Sequence, residues 1–241
     1  MVKVEIDDYK DKDFWYNEYF CKGGLTGMPK MKKTLPLMAK FLKKGSRLGD
    51  FGGTTKSFKI FKKAFPGIEI VSVNMIAKQI KDCDIEVCEN FAEKTGFTSD
   101  YFDVVFLGDV IEHLVEPDKL VIELHRVLKN EGVLIITTPN LASIINRFSL
   151  LFGFAPTNYH PSEWRHGSLF GVKHSSWHKS VFTIPAMKGF LENYGFKVLK
   201  KIGFSYHGRN YLPANLSEGM IIFAKNVKTD GNAQKSDKKT K

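Results

Sequence analysis

From Phe102 to Pro117 the sequence reads FDVVFLGDVIEHLVEP, and this stretch decides the fold. Phe102 to Leu107 is apolar at almost every position, so both faces of the strand it forms should be covered. Gly108 and Asp109 end the run, and Pro117 is suited to the first turn of a helix. In that helix Leu120, Leu124, Val127 and Leu128 share a face, and Asn130-Glu131-Gly132 closes it. Val133 to Thr138 (VLIITT) then reads as a second buried strand.

The same alternation extends outward. Upstream, Arg47 to Phe51 is a short strand running into Gly52-Gly53, Ile68 to Val73 is a second, and Ile85 to Cys88 a weaker third. Downstream, Thr183 is a good N-cap, Pro185 lies in the first turn after it, and Gly195 stands at the helix end. Lys197 to Ile202 and Met220 to Ala224 complete the set. The expected architecture is α/β: a Rossmann-like, doubly wound, mostly parallel sheet of seven strands. Residues 46–226 form this domain, residues 1–45 a helical cap segment, residues 140–182 a lid insertion after strand five, and residues 227–241 a basic disordered tail.

Composition agrees. The chain has 241 residues, 43% of them hydrophobic, which is enough for one domain with a sizeable core. The first residues are charged and lack an apolar core, so a secretory leader is not expected. The apolar run from Phe148 to Ala155 is too short to cross a bilayer. Cys21, Cys83 and Cys88 are odd in number and lack a metal-type spacing, as expected for reduced thiols of a cytoplasmic protein.

The net charge of +10 is partly local. The last fifteen residues hold five lysines against Asp230 and Asp237, and a second basic cluster runs from Lys30 to Lys44. The tail does not interleave its charges with stacking aromatics, so nucleic acid is not the expected partner, whereas an anionic acceptor is compatible.

In a doubly wound sheet ligands sit outside the carboxyl ends of the strands. Three places qualify. Asp50-Phe51-Gly52-Gly53 follows the first strand, where glycines permit close approach of a ligand or simply form a tight turn. Asn74 ends the second strand, either facing a ribose or capping a helix. Asp109, Glu112 and His113 follow the fourth strand and share a face if that segment is helical.

Here the chain resembles a family. FDVVFLGDVIEHLVEP is similar to the FDVV…EHL-x-x-P signature of class I methyltransferases, and Leu128 to Asn140 (LKNEGVLIITTPN) to their LKPGG-strand-TPN segment. His178-Lys179-Ser180-Val181-Phe182-Thr183 resembles their H-x-R-x-F-T element, with a helix and Tyr194-Gly195-Phe196 following. The nearest subgroup resembles small-molecule enzymes, including quinone O-methyltransferases and those tailoring cell-surface sugars. The resemblance implies S-adenosyl-L-methionine as cofactor. Asp50, Gly52 and Gly53 would line its methionine end and Asn74 its ribose. Asn90 or Phe91 would border the adenine, with Leu107 and Gly108 beside the sulfonium.

Two departures stand out. Thr54 and Lys56 occupy the second and third glycine positions of the family's Gly-x-Gly-x-Gly, and Asn74 replaces an acid. They keep open a second reading, a binding or scaffold protein on the same fold.

His113 and His178 are the candidate general bases for a hydroxyl acceptor, each otherwise a structural hydrogen-bonding residue. Asp109, Glu112 and His113 also match, with Asp for Glu, a metal trio of the quinone subgroup, although acids in a first helical turn are the commoner explanation and no metal is expected. His160, His166, His174 and His178 are spaced 6, 8 and 4 apart, which is not a zinc pattern. Their segment, rich in Phe, Tyr and Trp, is read as the lid over the acceptor pocket. Within it, Ser149 to Ala155 either packs on the domain or touches a lipid surface or prenyl chain. The acceptor is thus expected to be a small molecule, a sugar or a lipid-linked compound.

Overall fold

The computed structural model describes residues 29–53, 55–74, 85–87, 95–159, 167, 169, 178–206 and 212–228, with backbone alone for 55, 56, 74 and 85–87. Helix α1 (Pro29–Met38) leads through a short 3-10 turn (Ala39–Phe41) to β1 (Arg47–Phe51). Then come α2 (Thr55–Ala64), β2 (Glu69–Asn74), β3 (Ile85–Val87), β4 (Phe102–Gly108), α3 (Pro117–Val127) and β5 (Leu128–Pro139). Helices α4 (Ile144–Leu151) and α5 (Ile184–Asn193) precede β6 (Phe196–Phe204) and β7 (Gly219–Asn226).

The strands form one seven-stranded sheet in the order β3-β2-β1-β4-β5-β7-β6. Strands β1 to β5 run parallel, and β7 is antiparallel to both β5 and β6. The order reverses at β1, where β2 lies to one side and β4 to the other, and a ligand crevice opens at such a switch point.

Burial on both faces explains the apolar runs. On one face Val104, Phe106, Val133 and Ile135 pack with Met31, Leu35 and Met38 of α1 and with Phe61 and Phe65. On the other, Val105, Leu107, Leu134 and Ile136 pack with Leu120, Leu124, Met187 and Leu191. The helix signals hold as well. Pro117 opens α3, Thr183 Oγ1 accepts a hydrogen bond from Ala186 N at 3.2 Å, and Gly195 takes φ +83° just after α5.

One boundary differs. Asn130-Glu131-Gly132 lies inside β5, which begins at Leu128. The register shifts between Phe102 and Val104, and Glu131 has φ +65°. An irregularity in the ladder, rather than a helix stop, absorbs these residues.

The insertion after β5 is closed at its base. Asn140 bridges Phe182, and Leu141 N donates to Phe182 O at 2.9 Å. Residues 1–28 (including the aromatic stretch from Phe14 to Phe20), most of 160–177 with His160, His166 and His174, and the tail from 229 onward lie outside the described residues. Among the described residues no helix is long and apolar enough to cross a membrane.

Candidate active site

The crevice is built on the ends of β1 and β4. Register pairs Phe51 with Leu107, so the turn after β1 and the turn after β4 leave the sheet side by side. Gly52 adopts φ +76°, and a Cβ there would lie 2.2 Å from Val110 Cγ2. At Gly53 a Cβ would lie 2.5 Å from Asp50 Oδ2. The glycines are therefore required first by the chain's own packing: they let this turn close against Val110 and over Asp50. Gly52 N also donates to Val73 O at 2.8 Å, tying the turn to β2.

Asp50 is 1% exposed. Its Oδ2 accepts from Ser57 Oγ at 2.7 Å and more weakly from Ser72 Oγ at 3.5 Å. Burial pushes this carboxyl up to about 7, against the hydrogen bonds of Ser57 and Ser72 and the charge of Lys30. Asp50 thus locks the glycine turn to the start of α2, and lies beneath the crevice rather than in it. Leu107 is fully buried and Gly108 is partly open at the end of β4. The backbone of Asn74 ends β2 beside Val87. The Asn74 and Lys56 side chains, and Thr54, Asn90 and Phe91 entirely, lie outside the described residues.

After β4 the structure overturns one expectation. Asp109, Glu112 and His113 do not share a helix face. Asp109 takes φ +55°, and only Ile111–His113 forms a single 3-10 turn. The cause is tertiary. Asp109 N donates to Thr137 O at 2.9 Å, and Thr137 Oγ1 donates to Asp109 Oδ1 at 2.9 Å. Asp109 Oδ2 forms an ion pair with Lys30 Nζ from α1. Aspartate tolerates this left-handed backbone better than most residues.

Glu112 turns the other way, into the protein. It is 1% exposed, and its Oε2 accepts from Thr138 Oγ1 at 3.0 Å. Burial, together with the nearby charge of Asp109, holds its carboxyl well above the usual glutamate range.

His113 meets His178 from the far end of the insertion, with ring centroids 4.9 Å apart. The two segments are stitched by backbone. Lys179 N and Ser180 N donate to Glu112 O at 2.6 and 3.0 Å, and Ser180 Oγ donates to Leu114 O at 2.7 Å. His178 Nδ1 lies 2.9 Å from Asn158 O, a carbonyl that can only accept, so this nitrogen carries the hydrogen.

The ligand atoms of Glu112, His113 and His178 lie within 4.8 Å of one another. For a divalent ion these three fit better than Asp109, Glu112 and His113, because Asp109 is engaged by Lys30 and Thr137. Two imidazoles and a carboxylate suit zinc, iron or manganese rather than magnesium.

Lys30 and Tyr206 escaped the sequence reading. Lys30 belonged to a run of lysines that resembled a solvated face. Tyr206, just beyond β6, has its hydroxyl pushed up by burial and then by the charges of Asp109, Glu112 and Glu218, although 42% of the whole residue is exposed. Carboxylates, a lysine, a tyrosine and two histidines thus converge where β4 and β5 end.

Residues 51–136 match a family model described as a methyltransferase domain. No curated protein sequence matches the chain. Among solved structures, a SAM-dependent methyltransferase from Archaeoglobus fulgidus is similar at 19% identity and a TM-score of 0.57, over 81% of this chain and 92% of that one. One from Methanosarcina mazei gives 16% and 0.55, over 80% and 97%. The 4+2 cyclase SpnF gives 17% and 0.56, over 79% of each chain. At these identities the likeness speaks for the fold, and the cyclase shows that the fold does not dictate one reaction. The family match runs from the last residue of β1 into β5, the part of the chain that builds the crevice, and together with this strand order it gives the chain the fold of the class I methyltransferases.

Proposed function

We propose that the chain transfers a methyl group from S-adenosylmethionine to a hydroxyl of a small, sugar or lipid-linked acceptor. The observation that carries this reading is the convergence at the ends of β1 and β4: a glycine turn locked by buried Asp50 beside a polar cluster that includes two histidines in edge-to-face contact.

The crevice would offer the cofactor a glycine turn and a polar edge, where the Asp109 carboxylate is shared with Lys30. Gly52, Gly53, Leu107 and Gly108 would hold the methionine part and Asn74 the ribose. Asn90 or Phe91 would border the adenine. When bound, the cofactor supplies an electrophilic methyl carbon.

The chain's own contribution is positioning and proton handling. His178 has its Nδ1–H fixed on Asn158 O, so its Nε2 is the nitrogen able to take a proton from an acceptor hydroxyl. His113, against its ring, is the alternative base. Glu112 holds its own proton further up the pH scale than a surface glutamate would, and so does not compete as the base near neutrality. The described part of the insertion, with α4, would border the acceptor.

The test is product release. The full chain, incubated with S-adenosylmethionine and a panel of phenolic, sugar and lipid-linked hydroxyl compounds, should release S-adenosylhomocysteine with at least one of them. His178→Gln should lower kcat far more than KM for cofactor. Cofactor binding without turnover on any acceptor would favour the scaffold reading raised by Thr54, Lys56 and Asn74.

A further inference from the structure

Helix α4 is inside out. At about 100° per residue, its inward arc carries Asn146 and Ser149, both fully buried. Its outward arc reads, in angular order, Leu150, Arg147, Leu151, Ile144, Phe148 and, just past the helix end, Phe152, with Ile144 half-buried. Phe148 is 52% exposed, Leu150 58%, Leu151 73% and Phe152 67%. An ordinary surface helix has the opposite arrangement.

Polar bonding holds the helix in this pose. Asn146 Nδ2 donates to Asn158 Oδ1 at 2.7 Å and to Leu141 O at 3.0 Å. Asn146 Oδ1 accepts from Thr157 N at 2.8 Å and Thr157 Oγ1 at 2.9 Å. Ser143 caps the first turn, its Oγ accepting from Asn146 N at 3.3 Å. Rotating the helix to bury its phenylalanines would strand these polar groups, so the apolar arc is committed to the outside.

We propose that this arc is a membrane-docking surface that inserts into the headgroup–acyl boundary of an anionic lipid bilayer. The side chains are the type that enter that boundary, and a helix of eight residues is far too short to span it. Charge selects the lipid. Between Asn140 and Glu163 the only charged side chain is Arg147, in the middle of the exposed arc, and the chain carries a net +10. A segment that carries one cation and an apolar arc, with no acidic residue of its own, complements anionic headgroups. Because α4 follows β5 at the carboxyl edge of the sheet, docking would turn the crevice toward the lipid.

The inference deepens the lipid-linked branch of the proposed function, yet its test needs neither cofactor nor acceptor. The full chain is floated with vesicles of phosphatidylcholine alone, or of phosphatidylcholine and phosphatidylglycerol in equal parts. The expected result is flotation with the anionic vesicles that weakens with salt. The triple variant Phe148→Ser, Leu151→Ser, Phe152→Ser should lose roughly tenfold or more of the partition, since each such side chain leaves water on insertion. It should keep the wild-type melting temperature, because these side chains are already exposed. A tail variant, Lys235→Gln, Lys238→Gln, Lys239→Gln, Lys241→Gln, should lose less than the triple variant.

The proposal would be overturned by wild-type chain that does not float with anionic vesicles, by a triple variant that floats equally well, or by a tail variant that abolishes flotation by itself. A wild-type dimer that the triple substitution dissociates, without vesicle binding, would overturn it in favour of a second copy of the chain. Flotation in a protein that fails to bind S-adenosylmethionine would refute the enzyme reading and leave this one standing.

Discussion

Replacing Gly52 by alanine tests the physical basis of the crevice. Two costs arise. The backbone sits at φ +76°, and a residue with a Cβ in the left-handed region costs about 1–2 kcal/mol. The new Cβ would lie 2.2 Å from Val110 Cγ2, well inside contact distance, and relieving such overpacking costs about 1–3 kcal/mol. Together they give a loss of roughly 2–5 kcal/mol, or roughly 4–20 °C in melting temperature for a chain of this size. Val110→Ala separates the two. It removes Cγ2 and leaves Val110 Cβ at 3.5 Å, an ordinary contact. In the double variant the steric part should be recovered while the backbone part persists. The double-mutant cycle, read by urea unfolding, should therefore show a coupling of about 1–3 kcal/mol. Cofactor affinity should fall in Gly52→Ala and partly return in the double variant. Stability losses that simply add would refute the view that this turn is closed against Val110.

Three more outcomes are expected. Asp50 has its folded pKa raised from 3.8 to about 7, so stability is lost as pH rises from the first value through the second. Asp50→Asn, keeping an oxygen for Ser57, should be more stable than wild type at pH 8 by up to about 4 kcal/mol, with the gain vanishing near pH 4 in urea midpoints. Lys30→Met should leave Asp109 without its cationic partner; a fall in cofactor on-rate or affinity by stopped flow would show that the ion pair orders the crevice, and unchanged binding would show that it does not. Zinc or manganese titrated into the full chain should bind one site that His178→Ala and His113→Ala each weaken at least tenfold and Asp109→Asn leaves nearly intact; equal weakening by Asp109→Asn would restore the Asp109, Glu112 and His113 set.

The strands were legible because a parallel sheet covered on both faces leaves an unmistakable record, as in Phe102 to Leu107 and Val133 to Thr138. Helix ends were legible where local chemistry marks them, at Pro117, Thr183 and Gly195. The site was legible only in outline. Asp109, Glu112 and His113 lie near one another in sequence, yet hydrogen bonds from β5 set the first in a left-handed backbone and aim the other two elsewhere. Nothing local announces that Lys30, 79 positions away, meets Asp109. Likewise Asn130-Glu131-Gly132 looks like a helix stop until its pairing partners are known. The inverted helix α4 hid for the same reason: Asn146 is buried because Asn158 and Thr157 return to meet it.

Isothermal calorimetry of S-adenosylmethionine against the full chain asks whether the crevice holds the cofactor. The expected result is saturable binding at one site per chain, weakened in Gly52→Ala and competed by S-adenosylhomocysteine. No heat of binding at millimolar cofactor, from a chain shown to be folded, would contradict it and leave a methyltransferase fold without its cofactor.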